Sequence, residues 1–114
     1  MEAIPRHQFE RLVAAALDEM PPQLMRLMDN VAVVVADRHP TEDLLGLYEG
    51  VPLTERGDYG GMAMPDVITL YRLPLCEFAR DEDELVEEVM VTVVHEIAHH
   101  FGIDDDKLHE WGWG

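Results

Sequence analysis

A single cysteine, Cys76, has no partner in the chain, so no internal disulfide helps to hold these 114 residues together. Its setting, Leu73-Pro74-Leu75-Cys76-Glu77-Phe78, is mostly apolar and predicts a small buried side chain rather than a nucleophile or ligand. Positive charge is equally scarce: 8 Lys and Arg stand against 24 Asp and Glu, a formal net charge of −16. Such a surface repels phosphate backbones and anionic lipid, which sets aside nucleic acid and membrane surfaces as partners. It attracts cationic substrates and divalent metal, and it serves solubility as well. Long apolar runs are missing too. Val31 to Ala36 and Val89 to Val94 are both far too short to span a bilayer, and Met1 to Arg6 lacks the basic start and apolar core of a secretion signal. The expectation is a cytoplasmic, monomeric protein without repeats, low-complexity tracts or linkers.

The chain has room for one domain, residues 1–114, and therefore for one core that must also carry the function. Phe9, Leu12, Val13, Ala16, Leu17 and Met20 recur at helical spacing, which predicts an amphipathic helix from about Arg6 to Met20, ended by Pro21-Pro22. Leu24, Leu27 and Met28 suggest one further turn. Val31 to Ala36 is continuously apolar and β-branched, the pattern of a central strand covered on both faces. Leu44 to Glu49 reads as a second strand with a turn at Gly50, followed by a loop at Arg56-Gly57-Asp58 and an irregular glycine-rich stretch from Tyr59 to Pro65. Asp66 to Arg72 is a third strand, and Pro74 to Ala79 a helical turn packing Leu75 and Phe78 inward.

From Asp81 four consecutive carboxylates crowd a helix start, where the dipole favours negative charge. Val86, Val89, Val93, Ile97 and Phe101 then keep helical period, which outweighs the strand propensity of Val91 to Val94. Gly102 suits the left-handed position that closes such a helix, and Asp104 to Asp106 open a short last helix through Leu108 and Trp111. Trp111 and Trp113 are expected to pack that last turn onto the body. The sum is an α+β fold: a small, mostly three-stranded sheet against one long helix, with an N-terminal helix and a short C-terminal helix.

Near the end of the long helix stands His95-Glu96-Ile97-Ala98-His99. Two histidines four apart share one helix face, so both imidazoles can converge on one metal ion, with Glu96 beside the first. A shuffled chain of this composition would contain the pattern in roughly one case in thirty, too often for five residues to decide the matter. Gly102 and Asp105 extend it to H-E-x-x-H-x-x-G-x-x-D, which lowers the chance match to roughly one in a thousand or below. His100 points about a hundred degrees away from His99 and is not expected to be a ligand. His109 lies four residues beyond Asp105 and shares its face if the segment is helical, as an alternative ligand or a supporting group. Asp104 and Asp106 compete with Asp105 as cap, ligand or solvated carboxylate. Tyr48, Tyr59 and Tyr71 can donate to an oxyanion but are more often filler.

At these residues the chain resembles the zincin metallopeptidases, and His95 to Asp106 is similar to a small bacterial zincin-like family once listed as a domain of unknown function. The resemblance implies a minimal zincin-like fold and one Zn²⁺ held by His95, His99 and Asp105, although two histidines and a carboxylate also suit iron. It also implies a peptide or protein substrate, with Glu96 as general base toward a metal-activated water. An extended peptide is expected along the strand Asp66 to Arg72. Larger relatives place a methionine turn beneath the metal and a second subdomain below the cleft. Here no methionine follows Met90 and eight residues follow Asp106, so a one-walled cleft is expected. The alternative reading is a weakly catalytic or inactive metal-binding or protein-interaction domain on the same scaffold.

Overall fold

The computed structural model describes residues 1–50 and 64–113; the expected loop at Arg56-Gly57-Asp58, Tyr59 and most of the glycine-rich stretch lie outside the described residues. Within them the order of elements is α1 (Arg6–Asp18), α2 (Pro22–Leu27), β1 (Val31–Ala36), β2 (Gly46–Glu49), β3 (Asp66–Tyr71), α3 (Arg72–Phe78), α4 (Glu82–Phe101) and α5 (Asp105–Glu110). This is the expected α+β fold, with a three-stranded mixed sheet against the long helix α4.

Helix α1 buries Phe9, Val13 and Ala16, the stripe its spacing predicts, against α4. It stops two residues before Met20, and Pro21-Pro22 then starts α2, since proline fits a first helical turn but cannot continue an existing one. Helix α4 begins where Asp81 accepts a hydrogen bond from the Glu84 N–H at 2.9 Å, with Glu82, Asp83 and Glu84 in its first turn. It buries Leu85, Val89, Val93, Val94 and Ile97 completely, and ends at Gly102 with φ 67° in the left-handed region. Asp104 caps α5 by accepting from the Lys107 N–H at 2.9 Å. Trp111 and Trp113 pack against the core as expected.

The strand order β1-β3-β2 corrects two expectations. Val31 to Ala36, read as the central strand, is at the side of the sheet, with Val34 42% exposed and the Val35 carbonyl accepting from the Arg6 guanidinium of α1. An unbroken apolar run speaks for cover on both faces, but strand position depends on which neighbour supplies the ladder. Here that neighbour is β3, parallel to β1 in the register Val31↔Asp66 to Ala36↔Tyr71 and antiparallel to β2 in the register Gly46↔Leu70 to Glu49↔Val67. Because β3 is paired on both sides, it offers no edge to an extended peptide. A third correction concerns α3: Leu75 and Cys76 are fully buried as expected, but Phe78 points outward and is 58% exposed.

Candidate functional site

The site lies where α4 runs beside β2. The Tyr71 N–H donates to the Leu45 carbonyl, so Leu45, Leu47 and Glu49 spend their peptide groups on β3 while those of Gly46 and Tyr48 face the other side. On that side lies α4, and the two elements match in step. Two residues of strand advance about 6.6 Å and four of helix about 6 Å, so every second strand residue meets every fourth helix residue.

Three consecutive contacts follow this register. A Cβ on Gly46 would sit 2.6 Å from Thr92 Cγ2, so only glycine lets the strand come this close. One step on, the Tyr48 N–H donates to Glu96 Oε1 at 3.1 Å. One more step brings Gly50 to His100, whose Cε1 lies 3.3 Å from where a Cβ would be. Tyr48 is fixed by more than its backbone: its hydroxyl donates to Asp66 Oδ2 at 2.7 Å, and its ring stacks on His100 with centroids 3.9 Å apart. His100 is thus an aromatic partner of the sheet, and Phe101 meets Tyr48 and His100 edge-on.

His95 and His99 each precede a residue of this seam and are turned away from it into solvent. They lie one turn apart on one exposed face, with Glu96 half-buried beside them. A shallow open cleft of about 260 Å³, lined by Asp43, Leu44, Leu45, Gly46, Thr92, His95 and Glu96, gives access to this face. Further up the helix Glu88 shares the same side. Its burial, and then the carboxylates of Glu84 and Glu87, push its carboxyl above the usual range, while His95 opposes the shift.

Asp105 and His109 are exposed on α5 and are not brought together with the two histidines: among the described residues no three His, Cys, Asp or Glu converge on a point that could hold a metal ion. As a donor set the helix still fits a metal, because two imidazoles one turn apart on an exposed face can supply two borderline ligands without disturbing the core. The third donor needs the chain after Gly102 to turn back toward that face.

Sequence reasoning passed over Thr92 and Asp43, and weighed Tyr48 only as an oxyanion donor or filler, not as the residue that holds Glu96. One signal for Tyr48 was available: in Gly46-Leu47-Tyr48-Glu49-Gly50 the glycines alternate with it on the same side of a strand, as a backbone approaching a helix requires.

Fold, helix register and the H-E-x-x-H face together define a zincin-type protein. The chain belongs to the zincin-like metallopeptidase family, which it matches over residues 28–113, from the end of α2 to the C-terminal helix. Among solved structures it is similar to a conserved hypothetical protein from Thermo thermophilus, with 25% sequence identity and a TM-score of 0.55, over 86% of this chain and 94% of that one. No curated protein sequence matches it significantly. No helix of the described residues is long and apolar enough to cross a membrane.

Proposed function

We propose that the protein is a zinc-dependent peptidase in which Glu96 is the general base for attack of water on a peptide bond. The observation that carries this reading is the placement of Glu96, held by the Tyr48 N–H at the mouth of the cleft beside His95. His95 and His99 would hold the ion, with Asp105 as third donor and His109 as its alternative. Zinc, when bound, lowers the pKa of a coordinated water toward neutrality and polarises a carbonyl.

The chain's own groups do the rest. Glu96 accepts the proton of the attacking water and returns it to the leaving amine, which requires its carboxylate to swing between water and substrate while one oxygen stays near β2. A substrate would lie in the cleft beside β2 rather than along Asp66–Tyr71, because β3 is paired on both sides whereas Leu45 and Gly46 line that cleft. The favourable field of a chain with net charge −16 draws cationic peptides toward this cleft.

A second reading, a metal-binding or interaction domain without effective hydrolysis, is favoured by one observation: Asp105 and His109 stand apart from the two histidines among the described residues. Bound metal and cleavage of a mixed peptide library, measured for the native chain and Glu96→Ala, separate the two. A peptidase keeps its metal in Glu96→Ala and loses roughly 10²–10⁴-fold in rate. Metal bound by both proteins with cleavage by neither establishes the second reading, and cleavage unchanged by Glu96→Ala removes the general-base assignment. Asp105→Ala is expected to weaken zinc binding; unchanged affinity transfers the third position to His109.

A further inference from the structure

The cleft beside His95 and Glu96 does not end at Asp43 and Leu45. The same two residues line a second open cavity of about 410 Å³, continued by Pro74, Glu77 and Phe78. Cleft and cavity therefore adjoin at Asp43 and Leu45.

The second cavity has the make-up of a side-chain subsite. Phe78 is 58% exposed, more than any other large hydrophobic side chain among the described residues, so its ring is open to contact from the cavity. It is also rigidly mounted: the preceding residues of α3, Leu75 and Cys76, are fully buried, and the Ala79 N–H closes the helix on the Leu75 carbonyl. Leu45 faces it across the cavity, half-buried and held by the hydrogen bond of its carbonyl to the Tyr71 N–H at 3.0 Å. The rim is acidic but not uniformly so. Glu77 is bridged to Arg38, which also feels the charge of Asp43 at longer range; Asp43 is exposed and belongs to both cavities.

We infer that this trough is a specificity subsite of the proposed peptidase: it takes a bulky apolar side chain of an extended peptide between Leu45 and Phe78, with a neighbouring Lys or Arg of that peptide against Asp43. The occupant is peptide because the trough adjoins the cleft of Glu96 at Asp43 and Leu45, and cationic because Asp43 and the strongly negative chain favour it. This inference rests on the hydrolytic reading of that cleft.

The test uses three hexapeptide amides with a central Leu-Lys, Ala-Lys or Leu-Glu pair. Replacing Leu by Ala is expected to lower kcat/KM roughly tenfold with the native chain but only about twofold with Phe78→Ala. Replacing Lys by Glu lowers it in the native chain, and Asp43→Asn reduces that discrimination. Phe78 is exposed, so Phe78→Ala should melt with the native protein, which checks its folding. Binding is read separately in Glu96→Ala, where the Leu-Lys peptide should shift the amide NMR signals of Leu45 and Phe78. If those signals shift but the native chain cleaves nothing, the trough stands as a peptide-binding site while the hydrolytic reading, and with it the role in substrate specificity, falls. If cleavage occurs with the Leu preference intact in Phe78→Ala, the hydrolytic reading stands and the subsite is overturned. Absence of both binding and cleavage overturns both.

Discussion

Replacing Gly46 by Ala tests the seam between β2 and α4 on which the placement of Glu96 depends. No left-handed backbone is involved at Gly46, so the substitution carries no dihedral strain, and the lost freedom of the unfolded chain alone would stabilise the protein by about 0.4–1 kcal/mol. The new methyl, however, would lie 2.6 Å from Thr92 Cγ2 and 3.2 Å from the Thr69 carbonyl oxygen. Carbon atoms rest at about 3.5–4.0 Å, so strand and helix must part by roughly 1 Å, an overpacking that costs about 1–3 kcal/mol. The expected net destabilisation is about 1–2 kcal/mol. Thr92→Ser, which deletes the opposing buried methyl, should cost about 1 kcal/mol by itself. In the double variant one methyl takes the place of the other, so the two losses should fail to add by about 1–2 kcal/mol in the favourable direction. Urea unfolding at constant slope measures all four proteins. The Tyr48 amide signal, displaced in Gly46→Ala as its bond to Glu96 lengthens, should return toward the native position in the double variant. A Gly46→Ala protein as stable as the native one, or strictly additive losses, would refute the close approach.

Gly102→Ala should cost about 1 kcal/mol by thermal melting, because a side chain is strained at φ 67° although nothing lies within 4 Å of it; Gly102→Asn should cost less, and equal stability of all three would contradict the left-handed helix end. Asp81→Ala should lose about 1 kcal/mol with its cap to Glu84, while Asp81→Asn retains most of it. Glu88 gives a pH-dependent result. Since its folded pKa is raised by burial and then by Glu84 and Glu87, its contribution to stability is complete below the unfolded carboxylate value of about 4.3 and is lost as pH rises through the folded value. Glu88→Gln, which cannot ionise, should therefore match the native protein near pH 3 and exceed it in melting temperature at pH 7; a variant less stable than native at pH 7 would exclude this environment.

Local signals were readable wherever the physics is local. The stripe Phe9, Val13 and Ala16, the carboxylates from Asp81, the stop at Gly102 and the pair of prolines after α1 each act within a few residues, and each element formed where they indicate. The pair His95 and His99 was legible for the same reason, since one helical turn places them on one face. Strand order was not. Val31 to Ala36 outranks Asp66 to Tyr71 in apolar continuity, yet β3 lies between the other two strands, because ladder partners are chosen by chain path and by what covers each side. Phe78 was misjudged because helical period tells which residues share a face but not which face finds a neighbour.

The sequence by itself determined an acidic α+β chain and a helix presenting His95, Glu96 and His99, since spacing and helix geometry need no other part of the molecule. Only the tertiary structure decided that β2 is the strand beside that helix. That choice rests on the match between two-residue and four-residue steps, and on a glycine at position 46 small enough to let Tyr48 reach Glu96. Such a contact joins residues 48 apart along the chain, and no local pattern encodes it.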